Sequence, residues 1–105
     1  MIGQIQVVGC ENPEASREAI LAAKDELIEA CNEVDPILVK FGGGCRDVEV
    51  RIIDTDSGPM IIVHILVDCR DAMGANAVNT MSETIAPRVE SISGGTVILR
   101  IISNL

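Results

Sequence analysis

Apolar and polar residues alternate from Ile2 to Val8, with Ile5 and Val7 set against Gln4 and Gln6, and this period of two predicts a half-buried first strand. Gly9-Cys10-Glu11 ends it. Asn12 then offers an N-cap oxygen, Pro13 a pre-set first helical residue and Glu14 a negative charge beside the positive helix end, so a helix starts here. Ile20, Ala23, Leu27, Cys31 and Val34 recur at helical spacing and predict one helix running to Asp35, where Pro36 forces its predecessor out of the α region. Glu18, Asp25, Glu26, Glu29 and Glu33 make its solvated face.

Ile37-Leu38-Val39-Lys40-Phe41 is a short apolar link that reads either as a strand or as a plug for the core. Gly42-Gly43-Gly44 then breaks all regularity, which means a flexible loop or a backbone that something approaches closely. Val48 to Ile53 alternates again as a second strand, Asp54 to Pro59 has the composition of a turn, and Met60 to Val67 returns as a third strand to complete a hairpin. Its run Ile61-Ile62-Val63-His64-Ile65-Leu66-Val67 is β-branched enough for a buried central position. Val78, Met81, Ile85, Val89 and Ile92 predict a second helix, with Pro87 expected to kink it or to remove a hydrogen bond, and Gly94-Gly95 ends it. Thr96 to Ile102 is the last strand, with Val97, Leu99 and Ile101 expected on one face.

Strand, helix, strand, strand, helix, strand is the order of the α+β, ferredoxin-like βαββαβ arrangement, a four-stranded antiparallel sheet with two helices on one face. Gln6, Glu49, Arg51, His64 and Arg100 are then expected on the sheet face away from the helices. No G-x-G-x-x-G follows the first strand, so this is not a Rossmann domain.

With 105 residues the chain is one domain, able to bury roughly two-thirds of its unfolded surface. Apolar residues make up 48% of it, yet Phe41 is the one aromatic, so stacking on bases or sugars is almost unavailable. A net charge of -8 argues against nucleic acid and anionic membranes as partners. Any phosphate has to be held by local N–H groups and an arginine such as Arg46 or Arg70. Cys10, Cys31, Cys45 and Cys69 lack the close spacing of a metal or redox motif, so they read as buried thiols in a reducing cytoplasm, with no metal site. No signal peptide or membrane span is recognisable, and a soluble, cytoplasmic protein is expected. The chain begins almost directly in a strand and stops at Asn104-Leu105, which suggests a piece excised from something larger.

The chemistry concentrates between the third strand and the second helix. Gly74 removes a Cβ from that turn, Asp71 or Asn76 can cap the helix, and its first N–H groups point outward unpaired. A phosphate placed there gains charge-assisted hydrogen bonds and a dipole contribution of roughly 0.3–1 kcal/mol, up to about 2 if partly buried. The same turn also serves many α/β proteins with no ligand at all. His64, the one histidine, lies mid-strand with no nucleophile near it in sequence and reads as structural.

Asp71-Ala72-Met73-Gly74-Ala75-Asn76, Gly42-Gly43-Gly44-Cys45-Arg46-Asp47 and Arg100-Ile101-Ile102-Ser103-Asn104-Leu105 together resemble class II hydroxymethylglutaryl-CoA reductase, closely from about Asp35 onward and loosely before. The resemblance implies a small cofactor-binding domain inserted in a large acyl-CoA-binding domain, in an enzyme that interconverts 3-hydroxy-3-methylglutaryl-CoA and mevalonate plus CoA with two nicotinamide cofactors. It implies that Asp71, Met73, Gly74, Ala75 and Asn76 meet the dinucleotide, that Asn104 lies near the reacting region, and that Asp35 faces the adenosine ribose and favours NAD over NADP. The catalytic Lys, Glu, Asp and His of the family belong to the large domain and are not recognisable here. The chain alone is therefore expected to carry no catalytic residue and no activity, and the complete enzyme to be a homo-oligomer. A different class of reading is a stand-alone ferredoxin-like module that binds a small molecule or serves oligomerisation, for which Gly74 and Asn76 only make a turn.

Overall fold

The computed structural model describes residues 2–34, 36–40, 42–56, 58–68 and 74–103. In chain order they form β1 (Ile2–Val8), α1 (Pro13–Ala22), α2 (Lys24–Val34), α3 (Pro36–Lys40), β2 (Gly44–Thr55), β3 (Gly58–Asp68), α4 (Gly74–Ser93) and β4 (Thr96–Ser103). The strands make one antiparallel sheet in the order β2-β3-β1-β4, as expected for the ferredoxin-like arrangement.

The alternation along the strands decides which face is covered. Ile5 and Val7 of β1, Val48 and Val50 of β2 and Ile61, Val63, Ile65 and Val67 of β3 are buried together with Ile20, Leu27, Cys31, Val78, Met81, Ile85 and Val89 from the helices. Each large side chain removed from water in this way contributes roughly 1.5–3 kcal/mol. Gly3 sits where α4 crosses β1: a Cβ there would lie 2.6 Å from Ser82 Oγ and 2.8 Å from Ile65 Cγ1. Only hydrogen fits that crossing.

The first expected helix is two. Asn12 caps α1 by accepting from the N–H of Ala15 at 3.2 Å, but the helix ends at Ala23, whose φ of -92° and ψ of 8° lie in the bridge region. Ala23 N–H is shared between the carbonyls of Ala19 and Ile20, and α2 resumes one residue later. The bend keeps Ile20 of α1 and Leu27 and Cys31 of α2 all in the core, which is why the apolar period runs through the break unmarked. The apolar link after Pro36 is the short helix α3, not a strand, and its Val39 is 40% exposed.

Two bulges also depart from the pattern. In β2 the pairing slips between Cys45 and Asp47, leaving Arg46 as the extra residue. In β4, Val97 pairs with Val7, but Leu99, Arg100 and Ile101 pair with Gln6, Ile5 and Gln4, and Ile98 is the extra residue, 53% exposed. The slip reverses the alternation, so the register does not put Val97, Leu99 and Ile101 on one face, nor Arg100 in line with Gln6. The remainder of the expected polar row holds: Gln4, His64 and Glu49 lie side by side across three strands, as do Gln6, Ile62 and Arg51. His64 Nε2 is 3.0 Å from Gln4 Oε1, a cross-strand role that accounts for this histidine. Pro87 lies inside α4 on its exposed side, where the missing N–H faces water. No described helix is long and apolar enough to cross a membrane.

Candidate functional site

One end of the sheet gathers the segments that the sequence marks for chemistry. Gly44 at the start of β2 pairs with Asp68 at the end of β3, while Ile2 pairs with both Leu66 and Ser103. Helix α2 ends at Val34 beside this edge, since Asn32 is hydrogen-bonded to Cys45. Asp35, Asp71, Met73 and Asn104 lie outside the described residues. Gly74, Ala75 and Asn76 are the first turn of α4, so their N–H groups are among those that no carbonyl of the helix can satisfy.

The glycine run that precedes β2 has a structural cause. Gly44 has a φ of +113°, a conformation that side chains rarely adopt, and a Cβ on it would stand 2.6 Å from Asn32 Oδ1. That oxygen accepts the N–H of Cys45 at 2.7 Å, and Asn32 Nδ2 donates to the Cys45 carbonyl at 3.5 Å. Sequence reasoning passed over Asn32, because a polar residue beside the apolar stripe of a helix carries no signal of a partner thirteen residues away.

Arg46, thrown out by its bulge, spans this end. Its guanidinium donates to the Gly42 carbonyl and lies 3.6 Å from the Asp68 carboxylate. The positive charge is thus partly met by an acid already present. Asp47, the next residue, meets Lys24 Nζ at 2.5 Å and accepts from the N–H of Val48 at 2.8 Å. The hydrogen bond between them raises the Lys24 pKa and lowers that of Asp47, with the Val48 N–H adding to the second shift. Behind this surface the Cys31 thiol is hydrogen-bonded to the sulfur of Cys45, which, together with burial, pushes its pKa well up and keeps it protonated. No metal-ligand cluster occurs among the described residues. Two grooves among the described residues, lined by Ala19, Ala22 and Arg88 and by Gly9, Asn12 and Gly94, lie toward the other end of α4.

The sequence model of the family described as hydroxymethylglutaryl-coenzyme A reductase matches residues 1–105. The chain belongs to the hydroxymethylglutaryl-coenzyme A reductase family. It is 62% identical over all its 105 residues to the 3-hydroxy-3-methylglutaryl-coenzyme A reductase of Archaeoglobus fulgidus, of which it covers 24%. Among solved structures it is similar to the class II reductase of Streptococcus pneumoniae bound to NADPH in open conformations, with a TM-score of 0.92 and 41% identity over 98% of this chain and 25% of that one. A second structure of the Streptococcus pneumoniae reductase matches with a TM-score of 0.93 and the same identity, over 98% of this chain and 24% of its own. The chain thus spans about a quarter of the length of the reductases it matches.

Proposed function

We propose that this chain is the nicotinamide-dinucleotide-binding domain of a hydroxymethylglutaryl-CoA reductase that interconverts 3-hydroxy-3-methylglutaryl-CoA and mevalonate plus CoA by two hydride transfers. The observation that carries the reading is the start of α4 at Gly74, directly after the strand that ends at Asp68, in a chain whose 41%-identical structural relative is bound to NADPH. Asp71, Met73, Gly74, Ala75 and Asn76 form the turn that meets the cofactor. Its chemistry suits a pyrophosphate: a residue without Cβ, unpaired helix N–H groups and the positive end of a 20-residue helix. When bound, the dinucleotide supplies or accepts the hydride. On this reading Asn104 is a polar group near the reacting region.

The groups that polarise the thioester come from a large acyl-CoA-binding domain of the same polypeptide, and the complete enzyme is a homo-oligomer. The pairing of Ile2 with Ser103 supports insertion into such a domain, since chain entering at one and leaving at the other passes through neighbouring strands.

Asp35 faces the adenosine ribose and makes NAD(H) the preferred cofactor over NADP(H). A carboxylate accepts from a 2′-hydroxyl, whereas a 2′-phosphate beside it costs roughly 1–4 kcal/mol at effective dielectrics of 20 to 80. Arg46, a cation at this end, is engaged by Asp68. The test is steady-state kinetics of the complete enzyme with both cofactors, before and after Asp35→Ala. The parent is expected to favour NAD(H) and the variant to lose most of that ratio. A parent that favours NADP(H), or a ratio untouched by the substitution, overturns the assignment.

A further inference from the structure

We propose that Cys31 and Cys45 are a covalent modification site, a pair of buried thiols that a small-molecule disulfide converts to a protein disulfide stapling α2 to β2. The two belong to one core cluster, at 0% and 4% exposure, although thirteen residues separate them in sequence. Asn32, the neighbour of Cys31, takes both backbone groups of Cys45, so the chain on either side of the prospective bond is already anchored. The Cys45 thiol donates to the Asp47 carbonyl at 3.6 Å, which holds its sulfur in place at the start of β2. A disulfide needs the two sulfurs at the covalent distance of about 2.05 Å, an approach favoured by the anchoring of Cys45 to the residue next to Cys31.

The reaction balances as thiol–disulfide exchange. Cys45, the less deeply buried thiol, loses its proton and attacks oxidised glutathione during a local opening of the glycine turn, releasing one glutathione thiolate and leaving a mixed disulfide. The deprotonated sulfur of Cys31 then displaces the second glutathione. Two protein thiols are oxidised to one disulfide, and one glutathione disulfide is reduced to two thiols that carry the protons away. The ring so closed contains α3 and the glycine turn, and the proposal stands independently of any cofactor there.

Peptide mapping of the native full chain after treatment with oxidised glutathione and alkylation tests it. Trypsin cuts after Arg17, Lys24, Lys40, Arg46, Arg51 and Arg70, which places every cysteine in a different peptide. Peptides 25–40 and 41–46 are expected to be recovered joined, two hydrogens lighter than their sum, while the half-buried Cys10 in peptide 1–17 carries glutathione. The joined form is also expected to melt about 10 °C higher or more, because the unfolded chain is restricted by the ring. Recovery of 25–40 and 41–46 as separate peptides, or equal joining of all four cysteines whether the chain is native or unfolded in urea, overturns the proposal. The wild-type map decides the matter even where Cys45→Ser does not fold.

Discussion

Asn32 and Cys45 are joined twice, side chain to backbone, across the gap between the last turn of α2 and the first turn-out of β2. The shorter bond, at 2.7 Å, occupies the N–H of a residue that is only 4% exposed. Asn32→Ala leaves that donor without a partner and is expected to cost about 1–3 kcal/mol. Urea unfolding of parent and variant measures it, and an unchanged midpoint would mean that water replaces the side chain at no cost.

Gly3 and Ser82 allow a double substitution whose sign is informative. Ser82 Oγ is buried, has no hydrogen-bond partner among the described residues and stands 2.6 Å from where a Gly3 Cβ would be. Gly3→Ala is expected to destabilise by about 1–3 kcal/mol through overpacking, and Ser82→Ala to be neutral or stabilising because a lone buried hydroxyl is removed. The pair together should be more stable than the sum of the single effects, since the clashing oxygen is gone. Strict additivity in a denaturation cycle would show that the β1–α4 crossing yields elsewhere.

The Asp47–Lys24 pair sets a pH window. The folded pKa of Asp47 is depressed below 3.8, so its contribution is complete above that value and is lost as pH falls through the folded pKa. Lys24 is raised above 10.5, so its contribution is complete below that value and is lost as pH rises through the folded pKa. Both side chains are solvent-accessible, and the effect should shrink with added salt. Urea midpoints measured between about pH 2 and pH 6 are expected to fall less steeply with acid in Asp47→Asn than in the parent.

Gly74→Val probes the proposed cofactor turn in the complete enzyme. A branched Cβ at the start of α4 is expected to raise the KM for the dinucleotide about tenfold or more, equivalent to about 1.4 kcal/mol, while changing the stability of the helix by less than about 1 kcal/mol. Kinetics and thermal melting measured on the same samples separate the two. A large drop in Tm with unchanged cofactor affinity makes Gly74 a packing residue.

Much of this architecture is written in residue periodicity. Alternation marks β1 and much of β2, a β-branched run marks β3, the stripe from Val78 to Val89 marks α4, and Asn12-Pro13 places the start of α1. The bend at Ala23 escapes because alanine fits either side of it and the apolar stripe continues unbroken. The bulges at Arg46 and Ile98 escape for another reason: a strand's own sequence records alternation, but a slip is set by the partner strand, which no local pattern contains. The contacts of Asn32, Gly3 and Lys24 are of the same long-range kind. As for the proposed site, glycine and asparagine at a helix start mark only a turn, and it is the resemblance to a reductase that points to a dinucleotide there, whereas the ion pair of Arg46 with Asp68 required the sheet.

The strand order has a consequence for synthesis. Within this domain the first strand to be made, β1, is an inner strand whose two neighbours are residues 58–68 and 96–103. During translation the β2–β3 hairpin can close on its own, but Ile5 and Val7 stay without their second flank until nearly the whole chain has emerged. Completion of the sheet therefore waits for the last strand of the domain, and the nascent domain is most exposed to mispairing in the interval before β4 arrives.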